Sequence, residues 1–509
     1  MSTIYSKIKQ LLGECNANHQ NCSRNLKFGL PRRVIFVGAA MNIDKVRLYE
    51  TKPDQQDSYI ALSHCWGRAH KPSTTTVENI ASRLEGIPWE QIPKTFQDAI
   101  SVARGLGIEY IWIDSLCIIQ NSESDWQMES AKMGSIYENA TLVLSADKAQ
   151  DCSEGCFTAP LTPEELLSRK LKLDLGYSLY VRSLLPHVIL GDTVNSKITS
   201  PYPVASRAWI FQEQLLANRI LHFTSNELVW ECRTTTICEC GRNNKTSVFK
   251  QLWHQAFTGT LTESRGLWYP VIEAYSARKL SHQRDVLPAL SSAATRIKQL
   301  KRENGQYLAG LWAKYLPDAL VWWVKDGDGV RPKDYLAPSF SWASVIGAIT
   351  YGLGETTEPL LEILEASCNE KGANQFGEVV SGFIKLAGPS FEVRLERTNS
   401  EERSRQFNRI TIQGSTREEG LTTITEFDPF MDSIQELKEA LDPSSAPVMY
   451  MPCHEYLNTF QEMQSGIRPY SALLLKRSEK DGQYRRIGVA QYVIGHRVPD
   501  MEPKEVTVI

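Results

Sequence analysis

Between residues 59 and 145, short apolar runs alternate with stretches of helical periodicity. The apolar runs, which we predict to be strands, are Tyr59–Leu62, Ile108–Ile113 and Thr141–Ser145. The middle run is apolar at nearly every position, which is typical of a strand buried on both faces of a parallel sheet. Helices are predicted after Pro93 and over Asp125–Asn139, with Ser124 as N-cap. Strands that alternate with helices form βαβ units, so the segment predicts an α/β domain with a mostly parallel sheet.

Polar side chains directly follow two of these predicted strands. After the first strand come Ser63, His64, Cys65 and Trp66, and after the second come Asp114 and Ser115. Ligands of open α/β sheets bind outside the carboxyl ends of the strands, so these residues predict a binding site. The first loop could contact a phosphate or stack on a flat ring of a ligand, or it could be a turn whose Trp66 packs the core. Asp114 and Ser115 could orient a ribose or cap the next turn.

Five blocks of sequence resemble, in order and spacing, the HET domain of fungal heterokaryon-incompatibility proteins. They are YIALSHCWG (59–67), IPKTFQDAI (92–100), YIWIDSLCIIQ (110–120), the helix with Asp125, Trp126 and Glu129, and the pair of segments 206–213 and 227–232. The resemblance covers about residues 59–232 and says little about residues 233–509.

The resemblance implies non-self recognition between fungal strains, with growth arrest or cell death as the outcome. HET domains have been likened to TIR domains, a flavodoxin-like α/β class whose enzymatic members cleave NAD+ to nicotinamide and an ADP-ribose product. It therefore implies a flavodoxin/TIR-like core, NAD+ as substrate, and either self-association or a partner incompatibility protein.

Glu129 is the predicted catalytic residue. Helical spacing places its carboxylate on an apolar face with Trp126 and Met133. A buried carboxylate is normally paired, neutralised or functional, because burying it alone is costly. Enzymatic TIR domains use a Glu a few residues after a Trp to hold the NAD+ ribose; Glu129 matches, at a spacing of three where that pattern usually has four. The alternative is a structural Glu129 paired with Lys132 or a distant arginine.

Arg207 and Glu213 lie at the start and in the next turn of another predicted helix. Arg207 could bind a pyrophosphate with two hydrogen bonds. It could equally pair with Glu213 or with Glu129 and join the blocks into one buried ion network. Trp126, Arg207 and Glu213 are therefore predicted cofactor-binding residues together with the two strand-end loops.

A thiol nucleophile is a different chemistry that the sequence permits. Cys65 or Cys117 could act with His64 or His222 as a nucleophile and base. The apolar neighbours of Cys117 instead predict a buried, inert thiol, because reactive thiols need accessible, electropositive surroundings.

Metal binding is suggested weakly by two groups of cysteines among the 11 in the chain. Cys15, His19 and Cys22 have zinc-ligand types, and Cys232, Cys238 and Cys240 form a second group. Neither group has the paired Cys-x2-Cys spacing of common zinc sites, so we expect reduced cysteines and no metal.

The charge and composition of the chain indicate which kinds of partner and which cellular compartment to expect. The formal net charge is -3 and no long run of Lys and Arg occurs, which disfavours nucleic acid as a partner. Apolar runs are too short for a membrane span, and the N-terminus lacks the apolar region of a secretory signal. The sequence therefore predicts a cytoplasmic protein.

Changes of pattern along the chain predict four segments. Residues 1–58 form a helix and short strands, 59–232 the HET domain, 233–334 a mainly helical region, and 335–509 a β-rich region. Three functions are open: an NAD+ glycohydrolase that kills the cell by depleting its cofactor, a non-catalytic signalling module that binds another protein, and a HET scaffold recruited to another regulatory or biosynthetic role.

Overall fold

A computed structural model of the protein describes most of the 509 residues. The described residues are 2–22, 27–38, 46–67, 72–157, 170–172, 178–180, 202–240, 243–244, 248–258, 265–299, 305–351, 357–397, 410–414, 422–427, 429–442, 444–457, 470–479, 482–493 and 503–509. They belong to two compact units, Met1–Leu261 and Thr262–Ile509.

The first unit contains helices on a central sheet. Its helices are α1 (Ser2–Asn18), α2 (Ile80–Glu85), α3 (Lys94–Leu106), α4 (Asp114–Cys117), α5 (Glu123–Ser130), α6 (Met133–Asn139), α7 (Ala208–Leu216) and α8 (Val248–Thr258). Its strands are β1 (Phe28–Gly29), β2 (Arg33–Phe36), β3 (Arg47–Glu50), β4 (Gln56–Asp57), β5 (Tyr59–Ser63), β6 (Tyr110–Trp112), β7 (Leu142–Ser145), β8 (Lys170–Lys172), β9 (Ser178–Tyr180), β10 (Arg219–Phe223), β11 (Leu228–Cys232), β12 (Thr236–Cys238) and β13 (Asn243–Asn244). The predicted strands are confirmed to within two residues at each end.

The central sheet is mixed, not mostly parallel as the sequence predicted. Its strand order is β13-β12-β11-β10-β7-β5-β6-β2-β3. Among the described strands of this sheet, only the pairings within the central group β10, β7, β5 and β6 are parallel, and the pairings on both sides are antiparallel. Short connections explain the antiparallel pairings. Strands β10 and β11, for example, are joined by a hairpin, and a hairpin can join only antiparallel strands.

The parallel strands at the centre of the sheet are buried, as their apolar composition predicted. Strands β5, β6 and β7 are buried at every residue, with helices packed against them. Their carboxyl ends lie at the same edge of the sheet, since parallel strands run in one direction. The fold is therefore a mixed α/β sheet that brings the polar segments after β5, β6 and β7 together.

Helix α3 forms as its sequence predicts. Pro93 precedes it, and Gly107 ends it with a φ of 80°, the left-handed conformation that favours glycine. Helix α1 packs on it where the ring of Tyr5 lies over Gly105; a Cβ at that glycine would come within 2.7 Å of the ring. The N-terminal helix is thereby fixed to the core of the first unit.

The predicted helix Asp125–Asn139 is instead two helices, α5 and α6. The break falls between Ser130 and Met133, and the N-cap of α5 is Ser122 rather than Ser124. The Ser122 hydroxyl accepts a hydrogen bond of 3.4 Å from the amide of Asp125. The side chain of Asp125 pairs with the buried Arg33 of β2. This ion pair fixes the start of α5 against the sheet.

The second unit is β-rich, and its part from residue 335 onward confirms the β-rich region predicted from the sequence. Its strands are β14 (Tyr307–Leu308), β15 (Leu311–Trp312), β16 (Trp322–Val324), β17 (Ile349–Tyr351), β18 (Thr357–Pro359), β19 (Glu362–Glu370), β20 (Val379–Gly388), β21 (Phe391–Arg397), β22 (Ile410–Gly414), β23 (Thr422–Phe427), β24 (Pro429–Met431), β25 (Val448–Tyr456), β26 (Tyr470–Arg477), β27 (Gln483–Val493) and β28 (Lys504–Val508). Its helices are α9 (Arg265–Ser276), α10 (Ser291–Gln299) and α11 (Ile434–Ala440).

An 11-stranded sheet dominates the second unit, in the order β19-β20-β28-β27-β26-β25-β21-β22-β23, with β18 and β24 at its margins. A buried ion pair between Arg486 and Asp432 lies in its core. The aromatic-rich stretch from Leu311 to Trp323 is not helical as predicted but forms short strands and single 3₁₀ turns. Trp312 and Trp322 of this stretch are buried, and Trp312 contacts Trp268, which is distant in sequence.

Across the described helices of both units, none combines the length and the apolar character that a membrane crossing requires.

Candidate functional site

The predicted site residues of the first two motifs meet at the carboxyl edge of the parallel strands. Trp66, just after β5, donates a hydrogen bond of 2.7 Å from Nε1 to Oδ2 of Asp114, just after β6. The other carboxylate oxygen of Asp114 accepts a bond of 2.7 Å from the amide of Ser115. Adjacent parallel strands thus place the two motifs in direct contact.

His64 lies buried beneath this contact. Its Nδ1 is 3.8 Å from Oδ1 of Asp114, and its ring meets Phe96 edge-on with the centroids 4.9 Å apart. Burial lowers the pKa of His64, although the charge of Asp114 opposes the shift. His64 is therefore neutral at pH 7.

Arg207 joins the third motif to the same edge. Its Nη1 donates a hydrogen bond of 3.2 Å to the carbonyl oxygen of His64. Burial raises the pKa of the Cys65 thiol to about 11, while the guanidinium of Arg207 acts in the opposite direction. Arg207, immediately before α7, is half-buried, so a part of its cation reaches the surface.

Glu213 completes this arrangement from the buried side of α7. Its residue is 4% exposed, and burial raises the pKa of its carboxyl to about 7, with the charge of Asp114 acting in the same direction. The nearby Ser63 hydroxyl and the charge of Arg207 act in the opposite direction and favour the ionised form. The carboxyl therefore changes charge near neutral pH, which suits proton transfer.

Among the residues that the structure describes, one oxygen of this carboxyl has no hydrogen bond of good geometry. Within the described part of the chain, neither Oε2 of Glu213 nor the Ser63 hydroxyl forms a hydrogen bond of good geometry. The Tyr137 hydroxyl donates its proton over 3.0 Å to the carbonyl of Leu62. A buried carboxyl oxygen with no donor is costly to a fold, so the arrangement is typical of a site that has a function.

We name this set of eight residues the strand-end cluster. Its members are Ser63, His64, Cys65, Trp66, Asp114, Ser115, Arg207 and Glu213. Trp66, Asp114 and Arg207 are half-buried, whereas the other members are buried. The cluster therefore reaches the surface at an indole ring, a carboxylate and a guanidinium.

Glu129 and Trp126 lie on α5. Glu129 is 1% exposed, as its apolar helix face predicted, and its Oε1 lies 3.4 Å from Nζ of Lys132. Trp126 packs edge-on against Trp209 of α7, with ring centroids 6.1 Å apart. The two tryptophans connect α5 to the helix that carries Glu213. The contact of Glu129 with Lys132 is the structural alternative that the sequence left open, and its catalytic role stays a prediction.

A family model described as "Heterokaryon incompatibility protein (HET)" matches residues 59–213. The chain carries a HET domain. The matched segment begins at Tyr59, the first residue of β5, and ends at Glu213. It contains the whole strand-end cluster, and it indicates a function related to heterokaryon incompatibility. No curated protein and no solved structure matches the chain, so a likeness of the HET domain to TIR domains stays an expectation.

Sequence reasoning missed a buried network beside the strand-end cluster. His222 of β10 lies between two carboxylates, 2.8 Å from Oδ2 of Asp147 and 3.0 Å from Oε2 of Glu231. Burial opposes the charge on His222, but the two carboxylates outweigh it and raise its pKa to about 9. Lys250 of α8 lies 3.3 Å from Oε1 of Glu231. His222 is therefore a cation at neutral pH.

Asp147 connects this network to the HET motifs. It follows β7, and it accepts a hydrogen bond from the Ser145 hydroxyl, which in turn accepts one of 3.4 Å from Gln214 of α7. The position of Asp147 just after a predicted strand, like that of Asp114, was the available signal.

The thiols of the HET domain do not suit a nucleophile. Burial raises the pKa of Cys117 to about 12, and that of Cys65 lies near 11. At neutral pH both thiols are protonated, and the thiolate is the reactive form. His222 is held by Asp147 and Glu231, so it is committed to those two carboxylates. The carboxyl groups of the strand-end cluster are therefore better candidates for reactive side chains than these thiols.

The two groups of cysteines predicted from the sequence are divided differently in the structure. Cys232 does not lie with Cys238 and Cys240, which instead group with Glu227. It lies with Cys15, His19 and Cys22, so these four side chains are the candidate metal ligands of the first unit.

Proposed function

We propose that this protein is an effector of heterokaryon incompatibility that arrests or kills the cell when its HET domain cleaves NAD+. The observation that carries the proposal is Glu213: a buried carboxyl with a pKa near 7 and one oxygen without a donor among the described residues. It lies at the carboxyl edge of parallel strands, where ligands of α/β sheets bind.

The reaction needs a carboxylate next to a ribose. The bond between C1′ of the ribose and the nicotinamide nitrogen breaks, both electrons leave with nicotinamide, and an oxocarbenium-like ribose forms. Water then attacks C1′ and loses a proton, which gives ADP-ribose. Glu213 in its ionised form stabilises the positive ribose and accepts that proton. A pKa of about 7 leaves much of the side chain ionised at neutral pH.

The remaining members of the strand-end cluster suit the rest of the nucleotide. The half-buried indole of Trp66 offers a face for a nicotinamide ring. Arg207, whose hydrogen bond to His64 uses one of its nitrogens, keeps other donors for a pyrophosphate. We assign the ribose hydroxyls to the half-buried Asp114 and to its neighbour Ser115.

Glu129 and Glu213 are two carboxyl groups with different surroundings. Glu129 has a cationic neighbour, Lys132, at 3.4 Å, and such pairing is typical of a structural role. Resemblance to enzymatic TIR domains instead points to Glu129 as the ribose-binding residue. We assign the proton transfer to Glu213 and keep Glu129 as the second residue to test.

The test is NAD+ turnover by the purified full-length protein, with nicotinamide and ADP-ribose measured. Assays at increasing protein concentration are needed because enzymatic TIR domains typically act as oligomers. Glu213→Gln keeps the shape of the side chain and removes its charge, so turnover should fall by roughly 100-fold or more. Glu129→Gln makes the same change at the second candidate carboxyl, on α5, and circular dichroism of each variant confirms that the fold is retained.

Three outcomes decide the assignment. Loss of turnover in Glu213→Gln alone supports it, and loss in Glu129→Gln alone moves the catalytic role to α5. If the wild-type protein turns over no NAD+ at any concentration, yet its expression still stops fungal growth and growth still stops with Glu213→Gln, the domain is a non-catalytic signalling module.

A further inference from the structure

Four candidate zinc ligands converge at the C-terminal end of α1. Cys15 lies in the last turn of the helix, His19 and Cys22 follow it, and Cys232 is the last residue of β11. Their ligand atoms all lie within 4.8 Å of one another. The three cysteines are buried and His19 is half-buried. Ligand atoms from segments more than 200 residues apart thus surround one small volume.

The local backbone explains how the first three ligands share a side. The amide of His19 donates to the carbonyl of Cys15 at 3.2 Å, and that of Cys22 donates to the carbonyl of His19 at 3.3 Å. The first bond continues the helical pattern for one more turn, so Cys15 and His19 lie on one face. The second bond folds the chain back and brings Cys22 beside them.

The distances fit tetrahedral coordination. Zinc binds thiolate sulfur at about 2.3 Å and imidazole nitrogen at about 2.0 Å, so a tetrahedral site places two sulfurs about 3.8 Å apart and a sulfur and a nitrogen about 3.5 Å apart. Sγ of Cys232 lies 3.3 Å from Nδ1 of His19. Three cysteines and one histidine form one of the common structural zinc sets, and a complete set of four leaves no position open for a substrate.

The surroundings of the sulfur atoms suit thiolates. Nε of the buried Arg219 donates to Sγ of Cys15 at 3.3 Å, and the amide of Thr235 donates to Sγ of Cys232 at 3.4 Å. The hydroxyl of Thr234 lies 3.7 Å from Sγ of Cys22. Donors to ligand sulfur are characteristic of the outer shell of metal sites, where they orient and stabilise the ligands.

The charges also balance. Three thiolates, a neutral imidazole and one Zn2+ carry one net negative charge, which the guanidinium of Arg219 neutralises. Buried charge is tolerated when it is compensated in this way. A disulfide is the other chemistry open to these thiols, but it would leave the third thiol and His19 without a function.

We propose that Cys15, His19, Cys22 and Cys232 bind one Zn2+ ion that fastens α1 to the central sheet. The site is structural, and it stands apart from the strand-end cluster and from the proposed activity. Metal binding would couple the folding of the N-terminal segment to that of β11, because the ligands are brought together only when both are folded.

The test is the zinc content of the full-length protein, purified under reducing conditions with zinc present and dialysed against a weak chelator. We expect one zinc per chain by mass spectrometry of the metal. Co2+ in place of zinc should give the visible bands of a tetrahedral site with sulfur-to-cobalt charge transfer. A strong chelator should lower the temperature of the first unfolding transition.

Variants identify the ligands. Cys22→Ser and His19→Ala should reduce the zinc content to a small fraction of one per chain, whereas His19→Cys should keep it and shift the Co2+ spectrum. Cys240→Ser and Cys368→Ser are the matched controls, since they remove a thiol from the Glu227 group and from the second unit, and both should keep the zinc. If Cys22→Ser does not fold, the Co2+ spectrum of the wild-type protein still decides.

Three results would contradict a zinc site at these four residues. A folded wild-type chain with no zinc and with all cysteines reactive once denatured would show that the thiols are only reduced structural residues. A mass lower by two hydrogens would show a disulfide. Zinc that is lost in Cys240→Ser but kept in Cys22→Ser would place the metal at the Glu227 group. Each of these results overturns the proposal.

Discussion

Nε1 of Trp66 donates a hydrogen bond of 2.7 Å to Oδ2 of Asp114. The loop after β5 is therefore held by a residue that follows β6, the parallel strand beside it. The bond is charge-assisted, because its acceptor is a carboxylate, and bonds of this kind are stronger than neutral ones. The indole face of Trp66 is thereby kept at a fixed place on the edge of the sheet.

Replacing Trp66 with Phe should test this relationship. The variant keeps an aromatic ring and removes the donor, so the free energy of unfolding should fall by about 1 to 2 kcal/mol. If the ring holds the nicotinamide, NAD+ turnover should fall by roughly tenfold or more, since about 1.4 kcal/mol of binding corresponds to a factor of ten.

The control for Trp66→Phe is Trp89→Phe, another half-buried tryptophan, which contacts Arg104 outside the strand-end cluster. Its effect on turnover should be small. Urea unfolding and the turnover assay on both variants provide the comparison, and equal losses of turnover would show that Trp66 has no specific role.

Glu213 should make the stability of the first unit depend on pH. Its pKa is about 7 in the folded chain against the ordinary 4.5, so the folded state binds more protons than the unfolded state between these values. Stability must then fall as pH rises from 4.5 through 7, by about 3 kcal/mol in all. Glu213→Gln has no such charge to bury and should lack this loss.

The measurement is the difference in unfolding free energy between wild type and Glu213→Gln from pH 4.5 to 8, which cancels the other titrating groups. The variant should become progressively more stable than wild type as pH rises. A difference that stays constant over this range would mean that the carboxyl keeps an ordinary pKa and is exposed to water.

The parallel centre of the sheet was predictable because its signal is local. Strands β5, β6 and β7 are apolar runs bounded by polar residues, and Pro93 and Gly107 mark the ends of α3. The contact between Trp66 and Asp114 followed from the same pattern, because it depends only on two adjacent parallel strands.

Other features depend on contacts that a local pattern does not contain. The start of α5 is held by an ion pair between Asp125 and Arg33 of β2, which are far apart in the sequence. Cys232 meets Cys15 only because β11 lies at the end of α1, and the sequence instead suggested a group with the nearby Cys238. The shifted pKa of Glu213 requires knowing that a helix buries it against β5, which its own neighbours in sequence do not reveal.

The buried pair of Asp432 and Arg486 should support the second unit. Nη1 of Arg486 donates to Oδ1 of Asp432 at 2.6 Å, and Arg331 lies 3.1 Å from the other oxygen. Asp432→Asn leaves two guanidinium groups without their shared anion, so the free energy of unfolding should fall by about 3 to 5 kcal/mol.

The control for Asp432→Asn is Asp442→Asn, which removes an exposed carboxylate and should change stability by less than about 0.5 kcal/mol. Urea unfolding followed by tryptophan fluorescence measures both variants. Similar midpoints for the two variants would show that the buried pair adds little to the stability of the second unit.

His222 should stabilise the first unit through its charge. Its pKa is about 9 in the folded chain against the ordinary 6.5, so its stabilising contribution is complete below pH 6.5 and is lost as pH rises through 9. His222→Gln removes the cation between Asp147 and Glu231 and should cost about 3 kcal/mol or more at neutral pH.

The stability difference between wild type and His222→Gln should therefore shrink as pH rises from 6.5 to 9, which thermal unfolding at several pH values can measure. His282→Gln changes an exposed histidine and should show neither the loss nor its pH dependence. If the difference between wild type and His222→Gln instead grows with pH, the neutral imidazole is the form that the folded chain prefers. The network around Asp147 would then be held by hydrogen bonds without a buried cation on His222.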